Sequence, residues 1–517
     1  MTGADPGLLR LADAILIPPF PGSSAPRWVL RALGHGLGGV TLYGQNISAP
    51  EQVAALTAAL RAAAGQDPVI AIDEEGGDVT RVAYSDGSSY PGNAALGAVD
   101  DVGLTTAVYQ AIGGDLAALG ANLNLAPCAD VLGAEDSPAV GTRSFGADTD
   151  LVSRHTAAAV AGLQRAGVAA CTKHFPGHGR TGTDTHLAMA TIEGSLDDLR
   201  RRDLPPFVAA IKAGTTAVMP SHLRVPELTG DLPATLSAAA LTGLLRGELG
   251  FDGVIVSDAL EMRATRDTFG VPGAAVLAVA AGTDLLCLGR DGDEDDYLAV
   301  RTALAAAVRD GTLAGSRLEQ AAGRVARLRG GLARTREVAP EADGHGVGLT
   351  AARRAVRLSG PRPALTSPVI IEIEPRENIA AGRFGWGLGP WAPAGSVRRV
   401  DVHGDGRPVG LAGAAGAQEA VEGAPAGFPD AAGLLADATG RSLVVVVRDA
   451  HRDRVTRSLV SALLAARPDA VLVEMGLPLW QPPEGTSYLV TYGASRASAQ
   501  AAAELLGLAL QTTHRRQ

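Results

Sequence analysis

Eight short apolar runs stand before residue 290 of this 517-residue chain, each closed by polar or Gly/Pro residues and most followed by a helix-like stretch. They cover 14–20, 39–43, 68–73, 122–127, 168–173, 217–220, 253–258 and 284–288, with helical sequence such as 51–64 and 151–166 between them. Strands too short and apolar to be half-exposed, alternating with helices, specify a parallel sheet covered on both faces. Eight such units in that length predict an α/β fold whose N-terminal part is a (β/α)8 TIM-like barrel. An open doubly wound sheet is the alternative, but no Gly-x-Gly-x-x-Gly follows the first run.

The chain is too long for one core. Residues 336–348 are rich in Gly, Pro and acids and read as a linker. Apolar runs return at 369–373, 443–447, 470–474 and 488–492, and 404–432 reads as loop. The expected organisation is a catalytic barrel over 1–335, a linker over 336–349, and a smaller α/β sandwich over 350–517. A hydrophobic content of 46 % and charged content of 19 % are those of a globular protein. A formal charge of −10 argues against nucleic-acid or anionic-membrane partners. Cys128, Cys171 and Cys287 are isolated in apolar surroundings and read as buried thiols of a reducing compartment. The N-terminal apolar run is too short to cross a bilayer, so the cytoplasm is the expected location.

Chemistry concentrates at the expected ends of the strands. Asp73 closes the third run, Lys173 and His174 the fifth, Ser221 and His222 the sixth, and Asp258 the seventh. In a barrel these ends converge on one face, where active sites are built. Of 45 Lys plus Arg, only Lys173 and Lys212 are lysine, and Lys173 stands beside three of the ten histidines. An ammonium is a compact point charge that a guanidinium does not replace. Asp258 is placed to act as nucleophile or base, or to cap the following helix. Asp184 and His186 follow the glycines of 177–182 on a predicted loop, where a carboxylate can orient an imidazole. His174, His178, Asp184 and His186 could ligate zinc, but Pro176 and Gly177 preclude helical i, i+4 spacing, and no metal or organic cofactor is expected.

These segments carry a resemblance. Lys173-His-Phe-Pro-Gly-His-Gly179 with Asp184-x-His186 is similar to the signature of glycoside hydrolase family 3 β-N-acetylglucosaminidases, the NagZ-like branch. The similarity extends through Ile72-Asp-Glu-Glu-Gly-Gly77 with Arg81, Gly141-Thr-Arg-Ser-Phe-Gly146, Val218-Met-Pro-Ser-His222 and Val256-Ser-Asp-Ala-Leu260. More weakly it reaches Ala351–Leu358 and Tyr488–Gly493, as in the two-domain form of the family.

The resemblance implies a β-N-acetylhexosaminidase acting on muropeptides or short amino-sugar oligomers, as in peptidoglycan recycling. It makes Asp258 the nucleophile of a retaining double displacement and His186 the acid/base, with Asp184 as its partner. Asp73, Arg81, Arg143, Lys173 and His174 become the groups that hold the sugar hydroxyls. A histidine acid/base would not repel an incoming anion, so phosphate stays open as acceptor beside water. Two positions depart from the branch: Asp78 stands where Arg is common, and Ser221 where Ala is usual. The first reverses a charge beside the Asp73 loop and bears on the leaving-group subsite.

Overall fold

The computed structural model describes residues 5–133, 137–183, 185, 188–336, 345–375, 380–382, 384–402 and 431–508. Two compact units divide the chain, and the division is not contiguous. The first comprises Met1–Glu75, Val79–Val82 and Asp100–Val347; the second comprises Gly76–Asp78, Ala83–Val99 and Gly348–Gln517.

The first unit is built on eight parallel strands: β1 Leu16–Ile17, β2 Gly39–Leu42, β3 Val69–Ile72, β4 Leu123–Asn124, β5 Ala169–Phe175, β6 Ala217–Pro220, β7 Val254–Ile255 and β8 Leu286–Cys287. Six pair in the order β2-β3-β4-β5-β6-β7, and β1 pairs with β8. A bridge from Val256 to Leu285 joins β7 to β8. The Thr41 amide donates to the Pro18 carbonyl at 3.3 Å, and this bond links β1 to β2 and closes the ring. Every residue of these strands is buried, because helices cover the outside and side chains fill the interior.

The covering helices follow from local chemistry. Asp148 accepts from the Leu151 amide at 2.7 Å and caps Thr149–Arg165. That helix packs against Val102–Ala118 on one side and Pro205–Lys212 on the other. Beneath Pro205–Lys212, Phe207 meets Phe175 of β5 edge to face with ring centroids 5.3 Å apart. Val218, Leu241, Leu244 and Ile255 complete this core. Cys128, Cys171 and Cys287 are free, buried thiols, as the sequence predicts.

The second unit carries six strands: β9 Arg357–Ser359, β10 Val369–Ile373, β11 Val397–Val400, β12 Leu443–Val447, β13 Val471–Glu474 and β14 Ser487–Val490. Their order is β9-β14-β13-β12-β10-β11, all parallel except β9, which runs antiparallel to β14. The five parallel strands, in chain order, lie 2-1-3-4-5, a flavodoxin-like winding. Four of the six coincide with apolar runs. The two edge strands, β9 and β11, are largely polar and exposed and give no such signal. Of the predicted linker, 337–344 lies outside the described residues, and a helix begins at His345. Of the predicted loop 404–432, residues 404–430 also lie outside them. No helix among the described residues is long and apolar enough to cross a membrane.

Candidate active site

Asp73 directly follows β3, and both of its oxygens are engaged. Arg81 donates to Oδ2 at 3.1 Å, and Lys173 Nζ of β5 donates to Oδ1 at 2.6 Å. The Lys173 ammonium also reaches Glu75 Oε1 at 2.6 Å. Glu75 then takes a forked pair from Arg143, Nε to Oε2 at 2.9 Å and Nη2 to Oε1 at 2.7 Å. Arg143 Nη2 lies 3.2 Å from His174 Nε2, and His174 Nδ1 lies 2.7 Å from Asp130 Oδ2. Since the Asp130 carboxylate accepts and Arg143 can only donate, the ring carries its proton on Nδ1. Five residues predicted from the sequence, Asp73, Arg81, Arg143, Lys173 and His174, are thus joined in one network.

Their protonation follows from that company. Burial works against a charge on Lys173, but Asp73 and Glu75 outweigh it and hold the ammonium above its usual range. Burial likewise opposes ionisation of Glu75, and Arg143 with Lys173 holds it well below the carboxylate range. Asp130 is buried too, yet His174, the Cys128 thiol and the His178 amide keep it ionised. Three carboxylates and three cations therefore share a largely buried cluster with no net charge. Such a fully paired cluster fixes its donors and acceptors in place.

Asp258 follows β7 at the same end of the barrel, half-buried, with Oδ1 accepting from the Ala259 amide at 2.7 Å. The next carbonyl, Ala259 O, is 2.9 Å from His222 Nε2, and His222 Nδ1 is 2.9 Å from Thr235 Oγ1. His222 is therefore a buried brace under the Asp258 loop. The convergence is felt by Cys171, inside the barrel. Burial raises this thiol first, while Lys173 lowers it and Cys287, Asp258 and Asp73 raise it.

Asp184 and His186 lie outside the described residues. The chain leading to them is described through Thr183 and again at Thr185. A Cβ on Gly177 would lie 2.8 Å from that of Asp203, and one on Gly179 would lie 2.0 Å from the Val131 carbonyl. Close packing, and not looseness alone, thus demands these glycines. His178 is buried, and its ring stands edge-on to that of His174 with centroids 6.0 Å apart. Its amide donates to Asp130 Oδ1 at 2.7 Å, and its ring meets Thr181 Oγ1 at 3.0 Å and Thr185 Oγ1 at 3.2 Å. Burial is the main force lowering its pKa to about 4, so the ring is neutral and ties the loop on both flanks. Arg180 pairs with buried Asp203 at 2.7 Å and fixes the loop a second time.

The sequence reading missed Glu75 and Asp130, on which the network turns. Glu75 was visible only as one of two acids after Asp73. Asp130 stands six residues beyond β4, whereas Asp73 directly follows β3, so the positional rule that found Asp73 does not reach it. Asp78, the charge reversal, is consumed within the second unit. It accepts from the Ala494 amide at 2.8 Å and pairs with Arg448 at 3.1 Å, whose guanidinium lies 5.0 Å from the Phe384 ring centre.

Residues 27–328 match the Glycosyl hydrolase family 3 N terminal domain. The chain belongs to glycosyl hydrolase family 3. Beta-hexosaminidase A of Pseudoalteromonas piscicida is 36 % identical over 272 residues, a match that covers 48 % of this chain and 45 % of that protein. The chain thus spans under half the length of that relative. Beta-hexosaminidase of Stenotrophomonas maltophilia strain K279a is 40 % identical over 253 residues, covering 48 % of this chain and 75 % of that one. Among solved structures, a family 3 β-N-acetylglucosaminidase from Paenibacillus sp. str. FPU-7 superposes with a TM-score of 0.81. It is 30 % identical, with 98 % of this chain and 97 % of that one covered.

Proposed function

We propose that this family 3 member is a retaining exo-β-N-acetylglucosaminidase that removes terminal N-acetylglucosamine from muropeptides or short amino-sugar oligomers in the cytoplasm. The observation that carries this is the fixed set of donors and acceptors from Asp73 to His174, at the barrel end that also bears Asp258. A pyranose offers vicinal hydroxyls, each able to donate and accept, and this cluster matches them with both kinds of partner. The named relatives support the amino sugar. Residues 1–335 form the catalytic barrel in this reading, and 350–517 an accessory α/β sandwich.

Asp258 attacks the anomeric carbon, the C1–O bond breaks, and His186 gives its proton to the departing oxygen. His186, held by Asp184, then takes a proton from water, which displaces Asp258 and releases the sugar with its configuration retained. Asp73, Lys173, Arg81, Arg143 and His174 hold the ring meanwhile. The first test is release of p-nitrophenol from its β-N-acetylglucosaminide, with and without millimolar phosphate, with the product anomer identified. Free sugar emerging first as the β-anomer in both buffers is the expected result. Sugar 1-phosphate appearing with phosphate would make the acceptor phosphate, and no turnover would overturn the substrate.

His186→Ala tests the acid/base role. We expect losses on the order of 10²–10⁴-fold with alkyl or sugar leaving groups and much smaller ones in the glycosylation step with activated aryl groups. The reason is that p-nitrophenolate departs without a proton. Pre-steady-state bursts separate that step from deglycosylation, and equal losses across leaving groups would refute the role.

A further inference from the structure

At the His174 end of the Lys173 network, three different ligand types converge on one point. Cys128 Sγ lies 3.0 Å from Asp130 Oδ2, and His174 Nδ1 lies 2.7 Å from the same oxygen. The ligand atoms of Cys128, Asp130 and His174 all lie within 4.8 Å of one another, and all three residues are buried. Among the described residues no other group of three His, Cys or carboxylate side chains converges this way. The backbone is pinned beside them, since Cys128 bridges to Lys173 and the Ala129 amide donates to the Lys173 carbonyl at 2.5 Å. Cys128 is itself fully buried.

We infer that Cys128, Asp130 and His174 form an inhibitory site for a thiophilic divalent cation of the Zn²⁺ class. Sulfur, nitrogen and oxygen donors of this kind are the ligands zinc takes. With bonds of about 2.0–2.3 Å, a tetrahedral ion sets its ligand atoms roughly 3.3–3.6 Å apart. The present spacings of 2.7 and 3.0 Å are those of two protons bridging to Asp130, so the ion replaces protons and the carboxylate moves by about 0.5 Å.

The balance of protons gives the consequence. The Cys128 thiol loses its proton to solvent, and the imidazole keeps one proton but carries it on Nε2 instead of Nδ1. That Nε2–H then faces Arg143 Nη2, a donor against a donor across 3.2 Å. Arg143 is held by Glu75 and by the Ala139 carbonyl at 2.8 Å, so it does not yield easily. His174 must turn away, and the sugar loses one of its holding groups. One proton leaves per ion, so apparent affinity rises about tenfold per pH unit while the thiol is protonated. Loss of turnover as a readout rests on the proposed glycosidase activity; metal binding does not.

The experiment titrates the full-length chain and Cys128→Ser with Co²⁺ and with Zn²⁺ in chelator-free buffer. Serine keeps a donor to Asp130 and is a poor ligand. We expect wild type to show a sulfur-to-cobalt charge-transfer band that saturates at one equivalent, and reversible inhibition by Zn²⁺ that EDTA relieves. Cys128→Ser should lose the band and resist Zn²⁺ at least about tenfold better, with turnover in the absence of metal and thermal unfolding unchanged. Should serine disturb folding, Cys128→Val supplies the second variant, judged by the same unfolding scan. No band in wild type, a band that survives both substitutions, or equal Zn²⁺ inhibition in all three proteins would overturn the site. A band without any glycosidase turnover would keep the site and refute the proposed activity instead.

Discussion

Asp258→Ala is expected to lower turnover of the p-nitrophenyl β-N-acetylglucosaminide by more than about 10⁴-fold while thermal unfolding stays at the wild-type midpoint. Stability should hold because Asp258 is half-buried and carries none of the buried charge of the Lys173 cluster, and its bond to the Ala259 amide is local. The amide can turn to water, and His222 still holds the Ala259 carbonyl at 2.9 Å. Activity should collapse because the next carboxylate along the chain is already engaged. Glu261, three residues on, is half-buried, and desolvation raises it to about 7. Its Oε2 accepts from the Gly289 amide. Added azide supplies the decisive product. With the carboxylate gone, a small anion can enter from the same face and give the α-glycosyl azide by a single inversion. Restored p-nitrophenol release with that product would assign the nucleophile. Turnover near wild type without azide would remove Asp258 from the role.

The barrel was legible because burial wrote it twice. The strands are largely apolar, and three of the runs close on a charged residue, so 68–73, 168–173 and 253–258 announced Asp73, Lys173 and Asp258 together. β1, β7 and β8 are two-residue ladders, yet their flanking apolar residues kept the runs visible. What the sequence hid was connection. Nothing in Asp-Glu-Glu-Gly-Gly says that the third position, Glu75, lies between a lysine 98 positions later and an arginine 68 positions later. Asp130 hid for a different reason, since its neighbours Cys128 and Ala129 read as core. His178 looked like a ligand or a pocket residue and is a strut, because a ring 3 % exposed finds its partners in the loop's own threonines. Asp78 looked like a change of subsite, whereas Arg448 answers its charge within the second unit. Glu474 in that unit is a comparable case. It is buried, raised to about 7 by burial and by Asp449, and spent on the amides of Asp449, Ala450 and Gly476.

Glu75→Gln should cost more stability than any other single change in the cluster, on the order of 3–5 kcal/mol, together with at least about 10²-fold in kcat/KM. The amide keeps the shape and removes the charge. Arg143 and Lys173 are then left at the centre of a buried cluster with one positive charge in excess, and one of the amide's ends offers a donor to a cation. Chemical denaturation measures the first loss and steady-state kinetics the second. The pH dependence has a definite sign. Glu75 in the folded chain titrates below the ordinary glutamate value of 4.5, so its contribution is present above that pH and fades as the pH falls below it. The stability gap between wild type and Glu75→Gln should therefore narrow in acid, and a gap that widened would exclude a buried carboxylate as its source. A second substitution separates charge from packing. Glu75→Gln with Lys173→Met returns the cluster to neutrality, so part of the lost stability should come back. Turnover should not, because Lys173 is one of the groups proposed to hold the sugar. A double variant no more stable than Glu75→Gln alone would mean that Glu75 matters for its volume and its hydrogen bonds and not for its charge.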